Sequence, residues 1–224
     1  MFQHDVHAYL RALTGVRAHR IGPFLAAFDD HDPGLFRNYA IPDDGAHPTG
    51  SEVTDLIAAF TDRSRTPRIE YLPGLCPAVE SALVNAGFVA ERRLPVMTCA
   101  PEIAAAPVAE GIEIRLATTE VQLRQVAEAQ NDAYGQLITT DQDVARLRGT
   151  IDGGGLVAVA VETATAVGVG GGLCAPPYCG VSEMAAIGVR AAYRRRGIAA
   201  PLTVLLTRAC PDVGITTPFL TPAG

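Results

Sequence analysis

The sequence predicts a mixed α/β protein of the α+β type, a mostly antiparallel sheet flanked by helices, in two domains. Three observations predict it. Between Gly155 and Val189 the runs "GLVAVAVE", "AVGVGGGLC" and "SEMAAIGV" follow one another with no helix between them, which favours antiparallel neighbours over βαβ crossovers. After them come one helix-like run, "GIAAPLTVLLTRAC", and one last strand, "GITTPFL". Third, "APEIAAAPVAEG" (100–111) sets two prolines in a run of alanines and reads as a linker, dividing the chain into domains 1–104 and 105–224.

The elements follow in order. "VHAYLRAL" is a short helix with Val6, Leu10 and Leu13 on one side. "DDHDPGLFRNYAIPDDGAHPTGS" (29–51) is dense in Asp, Pro and Gly and reads as loop. Ser51 would cap a helix in which Val53, Leu56, Ile57 and Phe60 recur at helical spacing. "PRIEYL" reads as a strand, "CPAVESALVNAGF" as a helix with Pro77 in its first turn and Gly87 at its end, and "VAERRLPVMTC" as another strand. In the second half "IEIRLA" is a strand. "TEVQLRQVAEAQNDAY" is a helix opened by the capping-box pair Thr119 and Gln122, with Leu123, Val126, Ala127, Gln130 and Tyr134 along one face. "DQDVARLRG" is a shorter helix, with Asp141 as cap and Gly149 as stop.

Composition excludes several classes of function. The chain has 224 residues, is 48% hydrophobic and carries a formal net charge of −6, which argues against a general nucleic-acid binder, since that needs a basic face. No uninterrupted apolar stretch approaches the ~18 residues of a membrane span, and the N-terminus, with Asp5 and two histidines, does not read as a signal peptide. Cys76, Cys99, Cys174, Cys179 and Cys210 are odd in number and scattered, which suits a reduced cytoplasmic setting. Cys174 and Cys179 flank "APPY" without zinc-knuckle spacing, and His4 and His7 read as part of a frayed surface terminus, so no metal is expected. The glycine run gives no G-x-G-x-x-G, because Leu173 stands where the last glycine belongs. All 18 basic residues are arginine, so there is no P-loop lysine either.

One stretch departs from the acidic average. From Met184 to Pro211 there is no Asp or Glu, while Arg190, Arg194, Arg195, Arg196 and Arg208 all fall inside it. A helix is expected to start just after Gly197. The first N–H groups of a helix have no internal partner and its dipole is positive there, so the spot suits a phosphate. Gly197 would let an anion approach the backbone, Ala199 and Ala200 would keep the rim low, and the arginines would add charge-assisted contacts.

The pattern R-x-x-G-x-A in "RRRGIA" (194–199), after the apolar strand "AAIGV" and "RAAY", resembles the coenzyme A loop of GNAT-type N-acetyltransferases. The resemblance covers roughly 112 to 220 and implies a GNAT fold with acetyl-CoA as co-substrate and no metal. It implies that Ile187, Gly188 and Val189 line the pantetheine arm, with a main-chain N–H near Val189 polarising the thioester. The loop Arg194, Arg195, Arg196, Gly197, Ile198, Ala199 and Ala200 would then hold the pyrophosphate. Glu183, six residues before Val189 among apolar neighbours that would raise its pKa, takes the place of the general base. The family's acid, commonly a tyrosine on a helix after the last strand, has no counterpart before Gly224, so Tyr178 and Tyr193 stand as candidates, Tyr193 being expected to pack beside the loop.

By the same resemblance the chain is two GNAT-like halves. The first is a degenerate copy without the arginine loop, and the second a copy without the closing helix and strand. The expected activity is acetyl transfer from acetyl-CoA to a primary amine of a small molecule or peptide, the alternative being a non-catalytic CoA-binding or regulatory protein. The missing closing unit would leave an open sheet edge, from which a homodimer is expected.

Overall fold

Residues 1–15, 18–30, 32–136 and 138–222 are described by the computed structural model, in which the chain divides into two units, Met1–Arg93 and Leu94–Gly224. The linker tract 100–111 falls inside the second.

The first unit opens with helix α1 (Phe2–Ala12), continues as an antiparallel meander of β1 (Ala18–Ile21), β2 (Phe24–Ala27) and β3 (Tyr39–Pro42), and ends in α2 (Gly50–Thr61) and α3 (Val79–Asn85). Four-residue strands are too short to display a period, and β3 lies inside the stretch expected to be loop, so the sequence did not reveal this sheet. What makes it is cross-strand pairing, Ile21 opposite Phe24 and Leu25 opposite Ile41. Phe24, Ala26 and Ala40 meet Val53, Leu56 and Phe60 of α2 in the core. "PRIEYL" is not a full strand. Ala40 N–H donates to Arg68 O at 2.8 Å and Glu70 N–H to Ala40 O at 3.0 Å, one parallel bridge beside β3. Pro67 and Pro73 at its two ends carry no N–H to extend the ladder. The cap of α2 is Thr49, not Ser51. Thr49 Oγ1 accepts from Glu52 N–H, and the Glu52 carboxylate accepts from Thr49 N–H at 2.8 Å. Gly87 ends α3 as expected, at φ +92°.

His4 and His7 lie on α1, and His7 is fully buried, so this is not a frayed end; both imidazoles contact the Asp44 carboxylate.

The second unit contains β4 (Met97–Thr98), β5 (Ile112–Leu116), α4 (Glu120–Ala133), α5 (Asp141–Asp152), β6 (Leu156–Glu162), β7 (Val167–Cys174), β8 (Val181–Val189), α6 (Ala199–Ala209) and β9 (Thr217–Leu220). They form one six-stranded sheet in the order β4-β9-β8-β7-β6-β5, antiparallel throughout except for β8 beside β9. Alternate residues of β6 face opposite layers. Val157 and Val159 pack with Leu123, Val126, Val144 and Leu147 of α4 and α5, whereas Ala158 and Ala160 pack with Leu202 and Leu206 of α6. A strand covered on both faces reads as an unbroken apolar run, as "LVAVAV" does. Helix α5 is capped by Thr140, not Asp141. Thr140 and Asp143 form the capping box at its start, and the helix runs through Gly149 to Asp152 before ending at Gly153.

The glycines of β7 are packing residues. A Cβ at Gly168 would lie 2.6 Å from Gln125 Cβ, and one at Gly171 would lie 2.7 Å from Val126 Cγ1, so α4 rests directly on the strand backbone. Strand β9 is not left open. Met97 pairs with Leu220 and Thr98 with Phe219, and Thr98 Oγ1 donates to Pro218 O at 2.6 Å, so β4 lies on the edge from which pairing between copies was expected.

Candidate functional site

The site is built where β8 leaves its neighbour. Glu183, opposite Phe219, is the last β8 residue paired with β9, so among the described residues no strand lies beside Met184–Val189 on that side. Across on β7, Gly171 pairs with Gly188 and Leu173 with Ala185, two steps on one strand against three on the other. The extra residue makes a bulge in which Ala186 takes φ +53°, a left-handed conformation unusual for a residue with a Cβ. Gln130 of α4 secures it, donating Nε2–H to Ala186 O at 2.9 Å. Arg190 N–H donates to Val169 O at 2.9 Å. Strand alternation therefore turns the N–H and C=O of the preceding residue, Val189, away from β7 towards the parted side.

Directly after this edge the chain turns into α6. Arg195 and Gly197 sit at φ +61° and +76°, and a Cβ at Gly197 would meet nothing within 4 Å. The N-cap is Ile198, which has no side chain able to bond the helix start, and the first turn carries no acid. Among the described residues the main-chain N–H groups of Arg195 to Ala200 have no hydrogen-bond partner. Free donors, a positive dipole end and open space over a glycine together form an anion cradle.

The arginines differ in task. Arg194 points back into the protein, donating from Nε to Val189 O at 3.1 Å and from a terminal nitrogen to Ala133 O at 2.8 Å, which ties the loop to the end of α4. Arg190 donates to Gly168 O at 2.7 Å and faces Glu128 and Asp132. Arg196 lies over the Tyr193 ring, 5.1 Å from its centroid, and Arg195 is exposed. The stretch that is free of acids in sequence is thus bordered in space by Glu128, Asp132 and Glu162. A hydrogen bond to Glu162, then desolvation, pushes the Tyr193 phenol up.

Glu183 lies where β8 and β9 part, with Thr221 Oγ1 donating to its Oε1 at 3.4 Å. Its face of the sheet follows from packing. Gly171 meets α4, and Leu173 belongs to the α4 side of the core. Ala185, opposite Leu173, and Glu183, two positions earlier, therefore face the α4 layer too. Gly188 shares that face, since a Cβ there would lie 2.9 Å from Ala133 Cβ and 3.6 Å from Tyr134 Cε2. Tyr178 pairs with Val181 in the turn before β8, two positions from Glu183 but five from Ala186 along the strand, about 16 Å from the bulge at ~3.3 Å per residue. Sequence reasoning did not foresee that Gln130 holds the bulge or that Tyr134 lies beside Gly188. The available signal was two polar groups on the otherwise apolar face of α4. Among the described residues no three His, Cys, Asp or Glu side chains gather as metal ligands.

No protein-family profile and no curated protein sequence matches the chain. Solved structures do. A GCN5-related N-acetyltransferase from Kribbella flavida is similar at 20% identity and TM-score 0.79, over 98% of this chain and 85% of its own. One from Sphaerobacter thermophilus is similar at 20% identity and TM-score 0.67, over 89% and 67%. A tandem GNAT protein from the clavulanic acid biosynthesis pathway is similar at 14% identity and TM-score 0.59, over 89% and 70%. The fold is that of the GCN5-related N-acetyltransferases.

Proposed function

We propose that the chain is an acyltransferase that binds acetyl-CoA and moves its acetyl group to a primary amine of a small molecule or peptide. The observation that carries this reading is the uncapped start of α6 set directly after the unpaired edge of β8. One holds a pyrophosphate by main-chain N–H groups, the other an extended amide-containing arm by strand-like pairing. Bound there, acetyl-CoA would supply the activated thioester carbonyl.

The chain's own groups do the rest. The N–H groups of Arg195 to Ala200, with the Arg195 and Arg196 guanidinium groups, bind phosphate, and Gly197 leaves the approach clear. Arg194 braces the loop from behind. Ile187, Gly188 and Val189 line the arm, and the Val189 N–H, turned to the parted side, is placed to polarise a carbonyl oxygen. Glu183 takes the ammonium proton of the acceptor, directly or through one water.

Five free cysteines accord with a reducing, cytoplasmic setting. A homodimer would have to form on the two-residue β4 edge or elsewhere, and a monomer at micromolar concentration in sedimentation would reject it.

The deciding experiment is calorimetric titration of acetyl-CoA into the parent and into a chain carrying Arg195→Glu and Gly197→Glu, with melting temperatures of both. Micromolar binding by the parent, lost in a variant that still melts cooperatively, supports the cofactor site. Release of free thiol with an amine present then separates the enzyme from a CoA-binding protein that does not catalyse. A parent that does not bind rejects the reading.

A further inference from the structure

We propose that Cys174 and Cys210 are a redox pair, which a peroxide converts into a disulfide that staples the end of α6 to β7. The proposal is independent of the acyl-transfer reading and concerns a part of the second unit that this reading does not use.

The two thiols come together from 36 positions apart, with their Sγ atoms 3.7 Å from one another. Cys174 is the last residue of β7, between Leu156 of β6 and Met184 of β8, and it packs on the α6 side of the sheet. Cys210 caps the C-terminus of α6 and opens the turn Cys210–Val213, which Gly214 closes at φ +75°. Both are fully buried. Cys76, the buried cysteine of the first unit, differs in that its Sγ donates to a main-chain oxygen, Asp43 O, at 3.2 Å.

Thiols in an apolar core are ordinarily inert. Three features set this pair apart. Closing from 3.7 Å to the ~2.05 Å of a disulfide needs about 1.7 Å of approach, shared between a strand end and a turn. The way in from solvent is short. Pro211 and Asp212, next to Cys210, are exposed, so opening that one turn uncovers the sulfur without unfolding the sheet. The two sulfurs also differ in task. The hydrogen bond from Cys174 lowers the pKa of Cys210 against desolvation, and the same bond, then desolvation, pushes the Cys174 thiol up. Cys210, nearer the surface, is thus the nucleophile and Cys174 the resolving thiol.

The chemistry balances. The Cys210 thiolate attacks one oxygen of hydrogen peroxide, the O–O bond breaks, and hydroxide leaves behind a sulfenic acid. The Cys174 sulfur then attacks the Cys210 sulfur, the S–O bond breaks, and water leaves with the proton of Cys174. Two thiols are oxidised to one disulfide, and the peroxide is reduced to two waters, the hydroxide taking up the proton that Cys210 lost. The closed loop contains β8, the arginine loop and α6, so the bond restrains the stretch that forms the parted edge and the anion cradle.

The test uses a background carrying Cys99→Ser and Cys179→Ser, both at exposed positions, in which three thiols remain, Cys76, Cys174 and Cys210. The folded protein is treated with a few equivalents of hydrogen peroxide, quenched, unfolded and alkylated for thiol counting and peptide mapping. The proposal expects the count to fall from three to one, with a mapped peptide joining Cys174 to Cys210. It also expects a melting temperature higher by roughly 5–15 °C, reversed by a dithiol reductant. Cys210→Ala in the same background should lose both the bond and the shift. Should that variant fail to fold, the thiol count and the peptide map of the background protein decide alone. Three thiols left after treatment, or oxygen added to either sulfur without a cross-link, overturns the proposal. A mapped bond that leaves the melting temperature unchanged overturns the stapling role.

Discussion

Replacing Gly171 by alanine tests whether α4, which carries Gln130 and Tyr134, is positioned by direct contact with the β7 backbone. The added Cβ would lie 2.7 Å from Val126 Cγ1 and 3.3 Å from Val126 Cβ. Carbon atoms rest at ~3.5–4.0 Å, so the shortfall is about 1 Å. Val126 cannot swing away: it is fully buried, and a β-branched side chain in a helix has essentially one χ1 rotamer. Helix and strand must move apart, at a cost of about 1–3 kcal/mol. For a unit of this size that lowers the melting temperature by roughly 3–10 °C in differential scanning fluorimetry. Val126→Ala removes the obstructing methyl but leaves a void, so it destabilises alone. In the double variant the two losses should cancel in part, with a coupling of about 1 kcal/mol or more. Losses that add to within ~0.5 kcal/mol would refute the contact, and with it this account of the glycine run.

Arg194→Ala should leave the melting temperature nearly unchanged but weaken acetyl-CoA binding about tenfold, or ~1.4 kcal/mol, as the loop comes away from Val189 O and Ala133 O. Arg194→Lys should not restore it, since one ammonium lacks the planar fork that reaches both carbonyls; full recovery in calorimetry would contradict the bracing role. In the first unit, desolvation works against the Asp44 carboxylate, but hydrogen bonds and charge from His7 and then His4 hold its pKa below the usual value. Its folded pKa being below the unfolded ~3.9, this stabilisation is present above about pH 4 and drains as pH falls further. Because Asp44 is nearly half exposed the effect is under ~1 kcal/mol after screening. Asp44→Asn should flatten the acid loss of hydrogen-exchange protection in α1, and an unchanged pH profile would show that another group is responsible.

The second unit was legible because its elements are long and its signals local. The meander, the α6 run and the Thr119 box each span enough residues for period and cap to agree. The first unit was not, because β1, β2 and β3 are four residues each and are made strands by partners distant in sequence. Arg194 illustrates a different limit. Its type and spacing marked a phosphate ligand, yet the carbonyl of Ala133, 61 residues away in sequence, takes one end of its guanidinium. The bulge at Ala186 left no mark at all, since alanine gives no hint of a positive φ.

The two units nonetheless share an order: three antiparallel strands, a helix, then backbone running parallel to the third strand. Why would only one of them hold an anion? The difference lies in the first turn of the helix. In α2 the Thr49 hydroxyl takes the Glu52 N–H and the Glu52 carboxylate takes the Thr49 N–H. The hydrogen bond from Thr49 lowers the pKa of Glu52, fixing a negative charge at the end of the helix where a phosphate would sit. That helix start is closed twice, by partners for its donors and by charge. In α6 the corresponding position is Ile198, followed by Ala199, Ala200 and Pro201, with no acid and no hydroxyl before Thr203. Leaving donors unsatisfied costs stability unless water or a ligand completes them, so an uncapped start is unfavourable for the apo chain and useful to one that binds an anion. A single-residue comparison follows directly from the physics. A threonine at the N-cap stabilises the helix for itself, whereas an isoleucine there keeps the site open for something else.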